Sequence, residues 1–99
     1  MDGYKTKLTD NLVKAVLCLK NKEECYAFFD DICTIKEMQD IAQRLEVATL
    51  LNEGHPYNDI AKKTGASTAT ISRVNKCITY GSGGYKLVLE RLYNKKDKE

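Results

Sequence analysis

From residue 57 the chain reads Tyr57-Asn-Asp-Ile-Ala-Lys-Lys-Thr-Gly-Ala-Ser-Thr-Ala-Thr-Ile-Ser-Arg-Val-Asn-Lys76. Two short helices that cross need a small residue at the crossing, and Ala61 meets this need. The turn after the first helix needs a positive φ, which Gly65 adopts at little cost. Ser67 can then cap the second helix by accepting a hydrogen bond from one of its free backbone N–H groups. This pattern predicts a helix-turn-helix at about residues 57–77.

The predicted motif has an apolar side and a polar side. Ile60, Ile71 and Val74 are spaced to face the interior, with Thr64 and Ala66 lining the turn. The opposite side carries small, hydroxyl and basic side chains, which are types that enter a DNA major groove. We therefore predict a DNA-binding face, with the alternative that the two helices serve only protein contacts. The residues predicted on this face are Thr68, Ala69, Ser72, Arg73, Asn75 and Lys76.

The composition fits one small domain spanning residues 1–99. Of the 99 residues, 42% are hydrophobic and 30% are charged, which allows one modest core. Proline occurs once and no run alternates as a strand would, so an all-α fold is expected. No stretch approaches the ~20 apolar residues of a membrane helix, and the N-terminus lacks a basic segment followed by an apolar run. We expect a cytoplasmic protein that does not act at membranes.

The cysteines and the single histidine do not form a catalytic or metal-binding pattern. No CxxC pair occurs, so we expect buried, reduced thiols and neither a metal, a disulfide nor a cofactor. A nucleophilic cysteine would need a base, and His55 stands in a short glycine-proline segment where an exposed position is expected. An enzymatic function is therefore not expected. The cysteines are Cys18, Cys25, Cys33 and Cys77.

Charge is distributed unevenly along the chain. Residues 57–99 hold nine Lys or Arg against four Asp or Glu, a net charge of +5. Residues 1–56 hold seven basic residues against ten acidic ones, a net charge of −3. A basic half that contains the predicted motif suits an approach to phosphates, although solvated surface charge alone could also produce it.

Capping signals predict where the helices before the motif begin. A first helix is expected at about residues 7–19. Asn21 followed by Glu24 has the spacing of a capping box and predicts the start of a second helix. Thr34 followed by Glu37 has the same spacing and predicts the start of a third.

Glycine and proline predict where these helices end. The third helix should run to about Asn52, because Gly54 can end it. A loop at residues 80–84 should precede a final helix, and we expect the tail at residues 94–99 to fray. The apolar stripe predicted for the third helix is Ile35, Met38, Ile41, Ala42, Leu45, Ala48 and Leu51, and Val47 and Leu50 fall outside it.

The predicted helices carry more apolar surface than one small chain can cover. Several of them have apolar residues on two faces, although they are short. Most small oligomers are two-fold homodimers, and two-fold symmetry can place two recognition helices roughly 34 to 36 Å apart, one DNA turn. A homodimer is the simplest prediction.

Several short motifs together resemble a known family. They are Thr34-Ile-Lys-Glu37, Gln43-Arg44, Gly54, Gly65-Ala66 and Ala69-Thr-Ile-Ser-Arg73. On these motifs residues 34–88 resemble the Trp repressor family, and the whole chain is similar to its YerC/YecD-like branch. The resemblance implies a six-helix, intertwined homodimer. Its first three helices and its last would interlock between subunits, and the fourth and fifth would form the reading head.

The resemblance also implies a candidate effector pocket. In the Trp repressor the corepressor lies between core and reading head, held by two arginines and a threonine, and Arg44, Arg73 and Thr34 match these positions. A guanidinium can stack on a ring or pair with a carboxylate. The family's glycine and serine are replaced by Val74 and Cys77, so we predict that tryptophan does not fit. Two interpretations stay open. Arg44 could pair with acidic residues while Arg73 contacts phosphate, or both could bind a different small effector of unknown identity.

Within the predicted DNA-binding face, the resemblance assigns base contacts to Thr68, Ala69 and Ser72. Phosphate contacts give affinity and salt dependence, whereas base-edge contacts give specificity of about 1–3 kcal/mol per position. We predict a sequence-specific regulator of transcription, a repressor that tryptophan does not control. The alternative is an interaction or adaptor module without specific DNA binding. The predicted phosphate contacts are Lys62, Lys63, Ser67 and Lys76, with backbone N–H groups.

Overall fold

The computed structural model describes residues 3–93 and contains six α-helices. No strand occurs in this part of the chain, so the predicted all-α, six-helix fold is confirmed. The helices are α1 (Lys7–Leu17), α2 (Lys22–Ile32), α3 (Ile35–Asn52), α4 (Tyr57–Thr64), α5 (Thr68–Tyr80) and α6 (Gly84–Tyr93).

The capping residues explain where the helices begin. The Thr34 hydroxyl accepts a hydrogen bond from the Glu37 N–H at 3.0 Å, and the Thr34 N–H donates to Glu37 Oε1 at 2.8 Å, which confirms this capping box. The Asn21 side chain caps α2 as predicted, but the Glu24 carboxylate accepts from the N–H of Lys20 instead of Asn21. Each cap satisfies backbone groups that have no partner within the helix.

Three predicted boundaries are shifted by a few residues. The first helix ends at Leu17 instead of residue 19, because the next two N–H groups bond the carbonyls three residues before them and tighten the last turn. Tyr80 belongs to α5 and Gly84 is the first residue of α6, so the loop is shorter than predicted. The tail at residues 94–99 lies outside the described residues.

The chain divides into two compact units, one ending at Met38 and the other beginning at Gln39. The first unit contains α1 and α2, and neither helix buries a residue. Large apolar side chains therefore face outward from α1, including Leu8, which is 80% exposed, and Leu17, which is 77% exposed.

The prediction of buried thiols is wrong. Cys18 and Cys77 are exposed, and Cys25 and Cys33 are half-buried, all four being free thiols. The physical reason in α1 and α2 is that these helices have no buried side within this chain, so apolar neighbours in the sequence do not produce burial. Cys77 follows the turn that contains buried Val74, but it lies on the exposed side of α5.

The second unit has a hydrophobic core to which four helices contribute. Full burial of each large side chain in it contributes roughly 1.5–3 kcal/mol. Ala61 packs against this core, as expected for a small residue where α4 meets its neighbours. The core residues are Val47, Ala48 and Leu50 from α3, Ile60 from α4, Ala66 from the turn, Ile71 and Val74 from α5, and Leu89 from α6.

The buried side of α3 differs from the predicted stripe. Val47 and Leu50, which the stripe leaves out, are buried, whereas Ile35 is 78% exposed and Ile41 is also exposed. Burial in α3 is confined to four consecutive residues, Val47 to Leu50, because the core of the second unit forms around this part of the helix. Within the predicted stripe, Ala48 is fully buried and Leu45 and Leu51 pack against the core, so the stripe is covered towards the end of α3 and exposed at its beginning.

Gly65 has a left-handed conformation that a side chain would strain. Its φ is 76°, yet a Cβ built there would have no neighbour nearer than 4.0 Å, so space is not limiting. We expect Gly65→Ala to lower the free energy of unfolding by about 1–2 kcal/mol, through backbone strain alone. Gly84→Ala is the matched control, because Gly84 lies in α6 with open space around it and a φ that is not positive. Denaturant unfolding compares the two variants, and equal stabilities would contradict this explanation.

Candidate nucleic-acid interface

The turn between α4 and α5 is built by three residues in succession. Gly65 ends α4 in the left-handed conformation, and its N–H donates to the Ala61 carbonyl at 2.8 Å. The Ser67 hydroxyl caps α5 by accepting from the Thr70 N–H at 3.1 Å. Both roles were predicted and both are confirmed, which places a helix-turn-helix at residues 57–80.

The Thr64 side chain stabilises the turn through two hydrogen bonds. Its hydroxyl donates to the Ile60 carbonyl at 2.7 Å and accepts from the Ala66 N–H at 3.1 Å. Ile60 and Ala66 are themselves buried, so the hydrogen bonds of Thr64 join two residues that belong to the core. The turn is consequently fixed both by packing and by hydrogen bonds, and this sets the direction in which α5 leaves it.

The predicted DNA-binding residues lie together on the outer side of this motif. Lys62 and Lys63 occupy the last turn of α4, and Ser67 is exposed at the start of α5. On α5 the positions recur every three or four residues, so they share one side of the helix. Thr68, Ala69, Arg73 and Lys76 are exposed, and Ser72 and Asn75 are half-buried.

The segment that carries this surface contains no carboxylate. Between Asp59 and Glu90 the sequence has five basic residues and not one Asp or Glu. Asp59 lies one helical turn before Lys62 and Lys63 in α4, whereas α5, which carries Arg73 and Lys76, contains no acidic residue. Such a surface attracts an anion with closely spaced charges, and the phosphate backbone of a nucleic acid is one.

The residues predicted for an effector pocket have different environments. Val74 is 1% exposed and packs in the core, so its side chain occupies interior space. Arg73 and Cys77 are exposed, and Arg44 is half-buried. The Thr34 hydroxyl is used in the N-cap of α3. An effector role for any of these residues stays a prediction.

Tyr85 lies beside two of the predicted pocket residues, and the sequence reasoning missed it. Burial raises the pKa of the Tyr85 phenol above its usual value, the nearby Cys77 adds to the increase, and the Arg44 guanidinium opposes it. Tyr85 packs against the core and is spaced i, i+4 from buried Leu89. The sequence shows this spacing, but the predicted loop at residues 80–84 ends directly before Tyr85, whereas α6 begins at Gly84.

Comparison with known proteins identifies the family. The family model described as Trp repressor protein matches residues 7–93. The chain belongs to the Trp repressor family. It is also 53% identical over 92 residues to YerC, an uncharacterized protein of Bacillus subtilis (strain 168), with 93% of this chain and 88% of YerC covered. This relative places the chain in the YerC branch of the Trp repressor family.

Two solved structures are similar to this chain over most of their length. A TrpR-like protein from Eubacterium eligens ATCC 27750 superimposes with a TM-score of 0.89 at 52% identity, covering 93% of this chain and 95% of that one. A candidate Trp repressor from Staphylococcus aureus gives a TM-score of 0.85 at 45% identity, covering 89% and 88%. The Trp repressor family consists of DNA-binding regulators and not of enzymes, in line with the sequence analysis.

Two further observations on residues 3–93 concern other kinds of site. None of their helices has the length and the apolar character needed to cross a membrane. In the same range, no group of three or more His, Cys, Asp or Glu side chains is placed to hold a metal ion.

Gln43 was not predicted to take part in the site. In the sequence it is distinguished only as part of a motif shared with the Trp repressor family. In the structure its side-chain Nε2 donates to the Thr64 carbonyl at 3.1 Å, at the end of α4. No local sequence signal marks a contact between residues 21 positions apart, so the sequence alone could not have revealed it.

Proposed function

We propose that this chain is a sequence-specific regulator of transcription that binds double-stranded DNA as a homodimer through its helix-turn-helix. The observation that carries the proposal is the exposed side of α5, with its small, hydroxyl and basic side chains, in a segment without carboxylates. Membership of the Trp repressor family supports the same function. In this proposal the protein is cytoplasmic and acts without a cofactor or a membrane, and residues 1–99 form one domain.

The residues on this side of the motif divide into two chemical groups with different tasks. Lysine and arginine side chains pair with phosphates and supply affinity that falls steeply with salt. Short side chains at the start of α5 approach base edges and supply specificity. In the proposal Thr68, Ala69 and Ser72 read bases. The phosphate contacts come from Lys62, Lys63, Ser67 and Lys76, and Arg73 and Asn75 lie at the edge of the groove, where the Arg73 guanidinium also pairs with a phosphate.

A second copy of the chain would cover the apolar side chains that α1 and α2 leave exposed. Neither helix buries a residue within its own chain, although both are amphipathic and carry several large apolar residues. Exposed apolar surface on this scale is unusual for a monomer and typical of an interface. A two-fold dimer would place two α5 helices on successive major grooves of one DNA face.

The proposed regulator acts as a repressor that tryptophan does not control. Val74 stands where the Trp repressor has a glycine, and its side chain is buried in the core. Admitting an indole there would require Val74 to leave the core, at the cost of its burial. The proposal leaves the identity of any other small effector open, with Thr34, Arg44, Arg73, Val74 and Cys77 as its candidate residues.

Selection of duplexes from a random DNA pool by the purified protein, with and without L-tryptophan, tests this function. We expect enrichment of a palindromic site in both conditions, with half-sites about one helical turn apart. Enrichment only in the presence of tryptophan would overturn the assignment of Val74. No enrichment, with affinity staying in the nonspecific range of ~10⁻⁴ to 10⁻⁶ M, would favour the adaptor module instead.

A further inference from the structure

One hydrogen bond joins α3 directly to the turn of the helix-turn-helix. Gln43 Nε2 donates to the main-chain carbonyl of Thr64 at 3.1 Å, and the bond is partly buried. Both residues belong to the second unit, and they are separated by 21 positions in the sequence. The bond therefore links the middle of α3 to the far end of α4, two points that the short loop at residues 53–56 does not itself hold together.

The Thr64 carbonyl needs such a partner because of its place in the motif. It is one of the last carbonyls of α4, and these have no donor within their own helix. Gly65 turns the chain away in the left-handed conformation, and its own N–H is already used on Ala61. The Gln43 amide supplies a donor from outside the motif, and in doing so it lies directly over the turn.

Gln43 adds a directional hydrogen bond beside the apolar packing of α3 on the helix-turn-helix. Val47 lies one turn further along the same side of α3, and it is fully buried against the motif. Packing by Val47 alone resists separation of α3 from the motif, but apolar contacts are not directional. A hydrogen bond at the edge of the same contact restricts the remaining freedom, which is rotation and sliding of the turn on α3.

We infer that Gln43 is a positioning residue for DNA recognition, which holds the helix-turn-helix at a fixed orientation on α3. The inference rests on the proposed function, because orientation matters only if α5 enters a groove. A fixed orientation lets both kinds of contact on α5 form without a conformational cost at binding. The holding contact comes from a side chain of the protein itself, so a small ligand is not needed to set the angle of the reading head.

The test compares two variants that differ only in the position of one new charge. Gln43→Glu keeps the shape of the side chain but removes the donor, placing a carboxylate against the Thr64 carbonyl at neutral pH. Gln39→Glu is the matched control, since Gln39 is exposed one turn earlier on α3 and receives the same charge. Two readouts are measured for both, namely affinity for a selected duplex and for a scrambled one, and hydrogen exchange of the Gly65 and Ala66 amides.

The expected result has two parts. Gln43→Glu lowers affinity for the selected duplex about tenfold more than Gln39→Glu does, because the Thr64 carbonyl loses its donor and the orientation of the helix-turn-helix is no longer fixed. Both variants bind scrambled DNA with equal affinity. Exchange in the turn is faster in Gln43→Glu only. Equal exchange in the two variants would overturn the inference whether or not DNA is bound. If exchange differs but the wild-type protein prefers no duplex, the proposed function fails and the structural role of Gln43 stands.

Discussion

Replacing Arg73 and Lys76 together by alanine is expected to weaken binding to duplex DNA roughly 30-fold at 0.15 M salt. Each lost phosphate contact removes about 0.9 from the slope of log affinity against log salt. For two lost contacts, the loss of affinity at 0.15 M salt relative to a reference of about 1 M salt is therefore roughly 30-fold. Both side chains are exposed, so the fold should be retained. The measurement is a salt series of binding isotherms, with circular dichroism to check helicity.

The control for this prediction removes the same charge from another part of the chain. Lys20→Ala combined with Lys22→Ala takes away two exposed positive charges outside the helix-turn-helix. A general effect of net charge would weaken binding in both double variants equally. A loss of helicity in the Arg73 and Lys76 variant would show instead that these side chains support the core, which contradicts the proposed interface.

Placing aspartate at Leu8 and Leu17 is expected to convert a dimer into monomers. These side chains are 80% and 77% exposed within one chain, so changing them does not disturb the core of the second unit. A carboxylate buried without a partner costs roughly 3–5 kcal/mol, and two-fold symmetry imposes each substitution twice. Sedimentation or light scattering measures the mass in solution. We also expect DNA affinity to be lower for the monomer, because a monomer contacts one half-site instead of two.

Asn11→Asp is the control for the dimer prediction. It adds a negative charge to the same exposed helix without removing an apolar side chain. This variant should remain a dimer. Wild-type protein that is monomeric at micromolar concentration, or a dimer that survives both leucine substitutions, would contradict the proposed use of α1 in the interface.

The motif could be predicted from the sequence because its signals are local. The positive φ of Gly65, the cap by Ser67 and the burial of Ile71 and Val74 each depend on residues within one or two turns. The same holds for Thr34 and its capping box. For this reason the position of the two helices and their turn could be predicted from the sequence alone.

The features that could not be predicted all depend on distant contacts. The core of the second unit buries α3 from Val47 to Leu50, which includes two residues outside the predicted stripe, and leaves the beginning of the stripe exposed. The exposure of Cys18 and the incomplete burial of Cys25 and Cys33 follow from α1 and α2, which bury nothing within their own chain. The bond from Gln43 to Thr64 joins residues far apart in the sequence. Periodicity finds an apolar side but cannot name the element that covers it.

The central claim is that the exposed side of α5 reads base edges, and one substitution tests it most directly. Ala69 is exposed at the start of α5, and Ala69→Gln adds an amide that can pair with adenine N6 and N7 in the major groove. Duplex selection is run with the wild-type protein and with this variant. We predict two related palindromic sites that differ at one position in each half-site, where the variant gains adenine. The same site selected by both proteins would contradict base reading by this side of α5.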